Sequence, residues 1–437
     1  MGQNRMFTVL TVSAGIKHFI AFTLILALAF PVRIWFPLGP FASFSPMDVV
    51  LLMGLAGLLE HAISTGILRT GRRSLAIALA MPVIFCYLSF LWTVNLTETL
   101  KAALTYTEAL AAFVITIFVF DDLRSETIGR LLGIFVFAIV LTAILSVMGF
   151  PGLAQQIPPN LVPGSPDYEA FALSYHARLS HPFIGLSNNL ATVLAFFPIV
   201  FTAYAKATKR NSFHWLAVLC ILAVVLTLSR GVIGALVLAY GLYALGHRGS
   251  LKRLWKGGAA LALIVAGLFA FVMLNPLVGK HVADRLSMIN VDYRLEAWRA
   301  VWGAIADRPF WGYGAGVSLS EVTGSLLQSA HNAFLAQLFY FGLPGGLLVG
   351  VSILSLPVIF SRWRLSGCKA RIMRRSIVFS LAVQVLIFLS QASFEGSVLR
   401  VVFYFSVGAS VMLLKALEHE AVFDSSVPDG RAGTTFP

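Results

Sequence analysis

Long apolar segments recur along almost the whole chain, and they constrain its fold more than any other feature. Runs of about 20 mostly uncharged residues follow one another from about residue 17 to about residue 415, and a helix of that length crosses the roughly 30 Å hydrocarbon core of a bilayer. Only 12% of the residues are charged, about half the level of a soluble domain. The sequence therefore predicts an all-α polytopic membrane protein, and it excludes a soluble enzyme, a disordered chain and a disulfide-stabilised scaffold.

The apolar segments divide into twelve predicted transmembrane helices, which leaves both termini on the same side of the membrane. These spans are predicted near residues 17–36, 47–67, 75–93, 99–120, 128–149, 185–204, 213–228, 232–246, 257–274, 333–360, 376–391 and 399–415. The predicted organisation is spans 1–9 within residues 1–274, with an external loop at 150–184, an external loop subdomain between spans 9 and 10 at 275–332, spans 10–12 within 333–417, and a disordered tail at 418–437.

Basic residues set the predicted orientation. Lys and Arg outnumber Asp and Glu by 32 to 19, which gives a net charge of +13. Most of these basic residues lie in short segments between apolar runs, which is where the positive-inside rule places cytoplasmic loops. We therefore expect both termini to be cytoplasmic, and we expect no nucleic-acid partner.

Two short apolar segments surround the sequence Ser229-Arg230-Gly231. A single span over 213–246 would bury Arg230 at mid-membrane, at a cost of about 2.5–3.5 kcal/mol. It would also move the basic loop 361–375 to the external side, against the charge rule. We therefore predict a hairpin of two short helices in which Arg230 lies just below the external surface and faces a water-filled cavity or an anionic partner.

The second external segment contains one predicted helix. Apolar residues recur there at helical spacing, and two of them are tryptophans: Val291, Leu295, Trp298, Val301, Trp302 and Ile305. This pattern predicts a helix that lies at the membrane interface. Arg294 and Arg299 lie off the apolar stripe, where contact with lipid headgroups accounts for them. Arg294 is also a candidate for binding an anionic substrate.

The familiar catalytic patterns are absent from the sequence. It contains no Cys and His set at metal-ligand spacing and no Walker-type loop, so no metal or cofactor is predicted. The pattern Gly312-x-Gly314-x-Gly316 is interpreted as a flexible turn after the interfacial helix.

Candidate chemistry lies in external basic residues that are far apart in sequence, Arg178, Arg230 and His331. A guanidinium group binds phosphate oxygens in a fork, and an imidazole accepts a proton near neutral pH. Together they suit group transfer from a phosphate-linked donor to an acceptor hydroxyl. Asn332 is a further candidate for substrate binding, although it is equally placed to cap the helix that follows.

Five segments, in this order and spacing, resemble a known family. They are LSFLWT at 88–93, LTLSRG at 226–231, YRLEAW at 293–298, RPFWGYG at 308–314 and HNAFL at 331–335, with Gly342 and Gly345 following. The chain resembles the O-antigen ligase family of bacterial inner-membrane proteins, which includes O-antigen polymerases and exopolysaccharide polymerases. The resemblance extends from about residue 80 to about residue 350.

The resemblance implies glycan transfer from an undecaprenyl-diphosphate carrier on the periplasmic face, without a metal or a nucleotide sugar. It implies that Arg178 and Arg230 bind the diphosphate and that His331 is the general base. Asn188 or Asn189 matches an asparagine of the family. The segment after Arg178 departs from the family, because Ser180-His181-Pro182 replaces an expected glycine.

The acceptor distinguishes the functions that the resemblance leaves open. A ligase transfers the glycan to lipid A-core, whereas a polymerase transfers it to a growing polysaccharide. We favour the ligase because the family is named for it. The alternative from another class is a transporter or flippase for the lipid-linked glycan, although transporters usually contain internal repeats and none is evident here.

Overall fold

The computed structural model describes eleven parts of the chain, and the fold is described from them alone. These parts are residues 14–29, 34–35, 43–44, 73–150, 179–182, 184, 187–245, 289–324, 330, 332–390 and 397–426.

Helices dominate the described residues. They are α1 (Ala14–Ala29), α2 (Arg73–Leu88), α3 (Leu96–Phe120), α4 (Ser125–Val147), α5 (Ser187–Ala195), α6 (Phe197–Thr208), α7 (Ser212–Leu226), α8 (Arg230–Leu245), α9 (Ile289–Asp307), α10 (Leu319–Thr323), α11 (Ala333–Ser361), α12 (Cys368–Ser390) and α13 (Ser397–Ser426). A 3₁₀ turn at Ser89–Leu91 follows α2, and two short strands, β1 (Ile34–Trp35) and β2 (Ser43–Phe44), pair antiparallel.

Ten of the twelve predicted spans coincide with helices of the structure. Seven helical segments of the described chain are long and apolar enough to cross a bilayer, and three shorter apolar helices accompany them. The predicted spans at 47–67 and 257–274 lie outside the described residues. A polytopic helical membrane protein is therefore confirmed.

The first predicted span is too long. Helix α1 ends at Ala29, and Ile34–Trp35 is extended and pairs with Ser43–Phe44. The physical reason lies in β-branched and aromatic residues such as Ile34 and Trp35, which extend the apolar run beyond the helix but favour extended backbone. Hydropathy does not distinguish the two conformations.

The last helix continues into the predicted disordered tail, which is a correction. Helix α13 ends at Ser426, so residues 418–426 are helical, whereas 427–437 lie outside the described residues. Two glutamates of this extension bind neighbouring loops: the N–H of Ser366 donates to Glu418 at 2.8 Å, and the N–H of Ser125 donates to Glu420 at 2.9 Å. Hydropathy marks where a helix leaves the lipid, and these polar contacts prolong it beyond that point.

Helix α13 is the centre of the bundle. In its most apolar stretch 89% of the residues are buried, compared with 39% for the segment that contains α2 and 44% for α11. It packs against α3, α4, α5 and α12. Among the seven long apolar segments of the described chain, the α2 segment and α11 are therefore the least buried.

Helix α11 is interrupted at Gly342, where φ is 70° and ψ is 179°. Regular helical pairing would join the N–H of Leu343 to the carbonyl of Phe339. The carbonyl of Tyr340 would have no helical donor, because Pro344 lacks an N–H. The break thus exposes one N–H and two carbonyls in the interior of a membrane helix.

The turn that follows α9 binds all three of these backbone groups. Leu343 N–H donates to the carbonyl of Pro309 at 2.6 Å, Tyr313 N–H donates to Phe339 at 3.0 Å, and Gly314 N–H donates to Tyr340 at 2.9 Å. Because buried backbone groups are almost always paired, the turn and the broken helix satisfy each other.

A third segment, between α2 and α3, joins the same contact region. Val94 N–H donates to the carbonyl of Tyr313 at 3.1 Å, and the Thr99 hydroxyl donates to the carbonyl of Ala315 at 2.9 Å. We call residues 89–99, 308–316 and 339–343 the helix-break junction. It brings together segments that are more than 200 residues apart in sequence.

The glycine pattern at 312, 314 and 316 is therefore not a flexible turn, contrary to the sequence interpretation. Gly312 has a φ of 67°. A Cβ on Gly312 would lie 2.5 Å from the carbonyl oxygen of Phe339 and 2.6 Å from the N–H nitrogen of Gly342. The glycines permit close approach of three backbone segments, and the turn is rigid.

Candidate functional site

The turn predicted around Arg230 lies between α7 and α8, and we call its residues 227–229 the arginine turn. Thr227 and Ser229 are buried, and the N–H of Ser229 donates to the Thr227 hydroxyl at 3.3 Å. Between them Leu228 has a φ of 53°, a left-handed conformation that is costly for a residue with a branched side chain. This strained turn separates the two helices. As the sequence predicted, residues 213–246 therefore form two helices and not one straight span.

Arg230 is the first residue of α8 rather than part of the turn, and its side chain is exposed. The amino-terminal end of a helix carries a partial positive charge, which disfavours a cation there. No acidic residue lies in the first turn of α8 to offset this. The position therefore favours an anionic ligand.

Arg294 of α9 lies close to Arg230. Its side chain is half-buried, and burial lowers the pKa of its guanidinium, with the nearby charge of Arg230 lowering that pKa further. Two residues that are 64 positions apart in sequence thus bring like charges within electrostatic range of each other. None of the ion pairs within the described part of the chain includes either arginine.

Three unfavourable electrostatic features coincide at this point: two guanidinium groups within electrostatic range of each other, the partial burial of one, and the helix terminus beneath the other. A bound anion relieves all three, since guanidinium groups bind phosphate oxygens in pairs. Arg230 and Arg294 were both candidates for substrate binding, and the structure brings them together. We call them the arginine pair.

The segment before α5 contacts the arginine turn. Leu179 is buried, and its N–H donates to the carbonyl of Leu226 at 3.0 Å. Leu226 is the last residue of α7, directly before the arginine turn. The prediction for Arg178, which precedes Leu179 in sequence, lies outside the described residues.

His181 anchors this same segment. Its side chain has no exposed surface, and its Nδ1 accepts the N–H of Ile184 at 3.2 Å. Burial lowers the pKa of His181 to about 3. The imidazole is therefore neutral at pH 7, and it holds the turn that leads into α5. This structural role accounts for a histidine in the segment where the resemblance expects a glycine.

The stability of the fold should therefore fall as the pH is lowered from about 6.5 towards 3. In this range an unfolded histidine binds a proton but folded His181 does not, so protonation favours the unfolded chain by up to about 1.4 kcal/mol per pH unit. Thermal unfolding of the detergent-solubilised protein at pH 7.5 and pH 5 measures this. His181→Asn keeps a hydrogen-bond acceptor but does not titrate, so it should reduce the pH dependence. An unchanged dependence in this variant would contradict the prediction.

The two asparagines lie in the first turn of α5, which packs against α7 and α8. Asn189 is half-buried, and its side-chain amide donates to the carbonyl of Ile184 at 3.3 Å. The backbone carbonyl of Asn188 accepts the Thr192 hydroxyl at 2.8 Å. The structure thus places both residues on the helix beside the arginine turn, with Asn189 bracing the His181 segment.

Asn332 caps α11. Its side-chain oxygen accepts the N–H groups of Phe334 and Leu335 at 3.0 and 3.1 Å, and its side-chain amide donates to the carbonyl of Leu389 at 2.9 Å. The helix-cap interpretation of Asn332 is confirmed, and the residue also ties the start of α11 to the end of α12. The prediction for His331 lies outside the described residues.

Helix α9, which the sequence predicts at the membrane interface, packs against the helical bundle. Its buried face packs against the start of α11, and the shared cluster contains Ala297, Val301, Ala304, Ile305, Leu335, Ala336 and Phe339. Leu295 and Trp302, predicted on the apolar stripe, are instead 42% and 50% exposed. The helix is held against the bundle because small alanines on one face allow close packing, which the spacing of large apolar residues alone did not indicate.

Sequence reasoning missed Arg400, near the start of α13. This residue is only 7% exposed; its guanidinium donates to the Thr105 hydroxyl at 2.8 Å and lies 4.1 Å from the centre of the Tyr106 ring. An arginine within a predicted span is costly unless the protein binds it. A charge at the second position of the apolar run 399–415, whose other charge is Lys415 at its end, was the available signal.

Among the described residues, no group of three or more His, Cys, Asp or Glu side chains is arranged to hold a metal ion.

Comparison with known proteins gives a family match. Residues 215–350 match the family model described as O-antigen ligase. The matched segment contains the arginine pair, the 308–316 turn and the helix break at Gly342. No curated protein matches the chain. The apolar helices and this match point to a multi-pass inner-membrane protein. The match over residues 215–350 supports an assignment to the O-antigen ligase family, whose members are glycosyltransferase-like enzymes.

Proposed function

We propose that the protein transfers a glycan from an undecaprenyl-diphosphate carrier to an acceptor hydroxyl on the periplasmic face of the inner membrane. The arginine pair carries this proposal, because it is a site for a multiply charged anion at the end of a membrane helix. The diphosphate of a lipid-linked donor has that charge and is anchored in the same membrane.

In the proposed reaction, the acceptor oxygen forms a bond to the anomeric carbon of the donor sugar. The bond from that carbon to the diphosphate oxygen breaks, and the diphosphate leaves with the electron pair and one additional negative charge. Arg230 and Arg294 stabilise this developing charge. Arg178 is proposed to assist them, on the family resemblance.

The proton of the acceptor hydroxyl is proposed to pass to His331, which the resemblance makes the general base. Asn332 supports this role as a positioning residue, because its two cap hydrogen bonds and its bond to Leu389 fix the chain directly after His331. Asn188 and Asn189 are proposed to line the donor side of the site from α5.

We favour a ligase that uses lipid A-core as acceptor, since the matched family model describes an O-antigen ligase. A polymerase that joins repeat units uses the same donor chemistry with a growing polysaccharide as acceptor. A transporter for the lipid-linked glycan is the competing proposal without bond chemistry. Both termini are proposed to be cytoplasmic, in keeping with the basic loops.

Reconstitution in proteoliposomes tests the proposal. The wild-type protein is given a lipid-linked glycan donor and either lipid A-core or a second donor molecule as acceptor. Product with lipid A-core supports a ligase, and product from donor alone supports a polymerase. His331→Ala should lower turnover by about a hundredfold or more while donor binding is kept. Normal turnover in this variant would contradict the proposed general base, and wild-type movement of donor without transfer would favour the transporter.

A further inference from the structure

Aromatic side chains form an exposed surface on the helix-break junction. Phe310 and Trp311 are 69% and 64% exposed, and the ring of Trp92 lies 5.5 Å from that of Trp311. We call these three residues the aromatic surface. It is separate from the arginine pair, since α9 rises about 20 Å between Arg294 and its last residue, Asp307.

The backbone beneath these rings is rigid. Pro309 and Tyr313, on either side of the exposed residues, are hydrogen-bonded to the broken helix α11, and Gly312 N–H donates to the carbonyl of Arg308 at 3.1 Å. Rings held in this way lose little conformational freedom when they bind a ligand. The surface is therefore suited to recognition.

Polar groups that bind hydroxyls belong to the same helix-break junction, at Asn95 and Glu98. The side-chain amide of Asn95 donates to the carboxylate of Glu321 at 3.4 Å, and Glu98, one turn into α3, pairs with Lys101 at 2.6 Å. Exposed indole and phenyl rings contact the C–H faces of sugars, whereas amides and carboxylates bind the surrounding hydroxyls. This combination matches a carbohydrate.

A lipid headgroup matches the surface less well. Trp and Tyr are enriched at the membrane interface, and basic residues near it are attracted to anionic headgroups. Here the neighbouring side chains include the carboxylates of Glu98 and Glu321, Lys101 is paired with Glu98, and the guanidinium of Arg308 lies over the Tyr313 ring, 5.1 Å from its centre. Anionic headgroups would be repelled by these carboxylates.

We propose that the aromatic surface binds sugar residues of the glycan chain, several residues away from the diphosphate-linked end. The proposal rests on the proposed glycan transfer and adds to it a distal subsite that favours long chains. It explains why a rigid, exposed turn lies beside amide and carboxylate groups at a distance from the arginine pair.

Chain length is the variable that tests the subsite. Trp311→Ala should lower kcat/KM about five- to tenfold with a long-chain lipid-linked donor, with a clearly smaller loss with a donor that carries one repeat unit. Trp311→Tyr keeps an aromatic ring and should restore most of the long-chain rate. Trp215→Ala is the matched control, because Trp215 is 73% exposed at the start of α7 and belongs to neither site.

A binding measurement separates this inference from the proposed function. Delipidated polysaccharide, released by mild acid and free of diphosphate, should bind the wild-type protein and bind Trp311→Ala more weakly. Failure of the wild type to bind it, or equal losses with long and short donors, would overturn the subsite and favour a membrane anchor. Absence of transfer with every donor would instead overturn the proposed function, while the binding result still decides the subsite.

Discussion

Replacing Arg230 by lysine should lower the rate of glycan transfer by about a hundredfold or more, although the positive charge is kept. A lysine ammonium is a point charge, whereas the guanidinium of Arg230 presents a planar fork to two phosphate oxygens beside Arg294. Removing one preorganised donor to a developing negative charge typically costs a factor of about 10² to 10³. Initial rates in proteoliposomes with a lipid-linked glycan donor measure the effect.

Arg299→Lys is the control for this experiment. Arg299 is exposed on α9, the same helix as Arg294, and the lipid-headgroup interpretation of this residue predicts a rate close to that of the wild type. Full activity in Arg230→Lys would remove the diphosphate-binding role of Arg230. An equal loss of transfer rate in Arg230→Lys and Arg299→Lys would indicate that the rate is sensitive to any arginine-to-lysine substitution.

Gly342→Ala should destabilise the protein by about 3 kcal/mol or more. The φ of 70° with ψ of 179° at this residue belongs to a region that is almost exclusive to glycine, and a side chain there costs about 1–3 kcal/mol in strain. The new Cβ would also collide with the carbonyl group of Phe310, which adds an overpacking cost of about 1–3 kcal/mol. Thermal unfolding and the yield of monodisperse protein in detergent measure the loss.

Gly324→Ala separates strain from collision. Gly324 also has a positive φ, 65°, but a Cβ there would have no neighbour within 4 Å. The loss of stability should therefore be clearly smaller than in Gly342→Ala. If both variants were equally stable, the close approach of three backbone segments at the junction would not contribute to the fold.

The positions of the membrane helices could be predicted from the sequence because burial in lipid requires long apolar runs. Their ends could not, since polar contacts such as those of Glu418 and Glu420 prolong α13 beyond its apolar run. The two-helix division around Arg230 followed from the cost of burying one arginine. The left-handed Leu228 that produces it has no signature in the sequence.

The site was predictable in its residue types and less so in its geometry. Arginine at 230 and 294 suggested candidates for binding an anion, but only the folded chain brings the charge of Arg230 within electrostatic range of Arg294. The glycines at 312 and 314 looked like a flexible turn because the missing hydrogen-bond partners belong to a helix that follows in sequence. Tertiary pairing of this kind leaves no local pattern.

The reciprocal pairing between the 308–316 turn and α11 has a consequence for recombination among related proteins. A chimaera that exchanges the turn but keeps the recipient's helix must match donors and acceptors across the break at Gly342. The smallest transplantable module of this protein is therefore the turn together with the helix it completes.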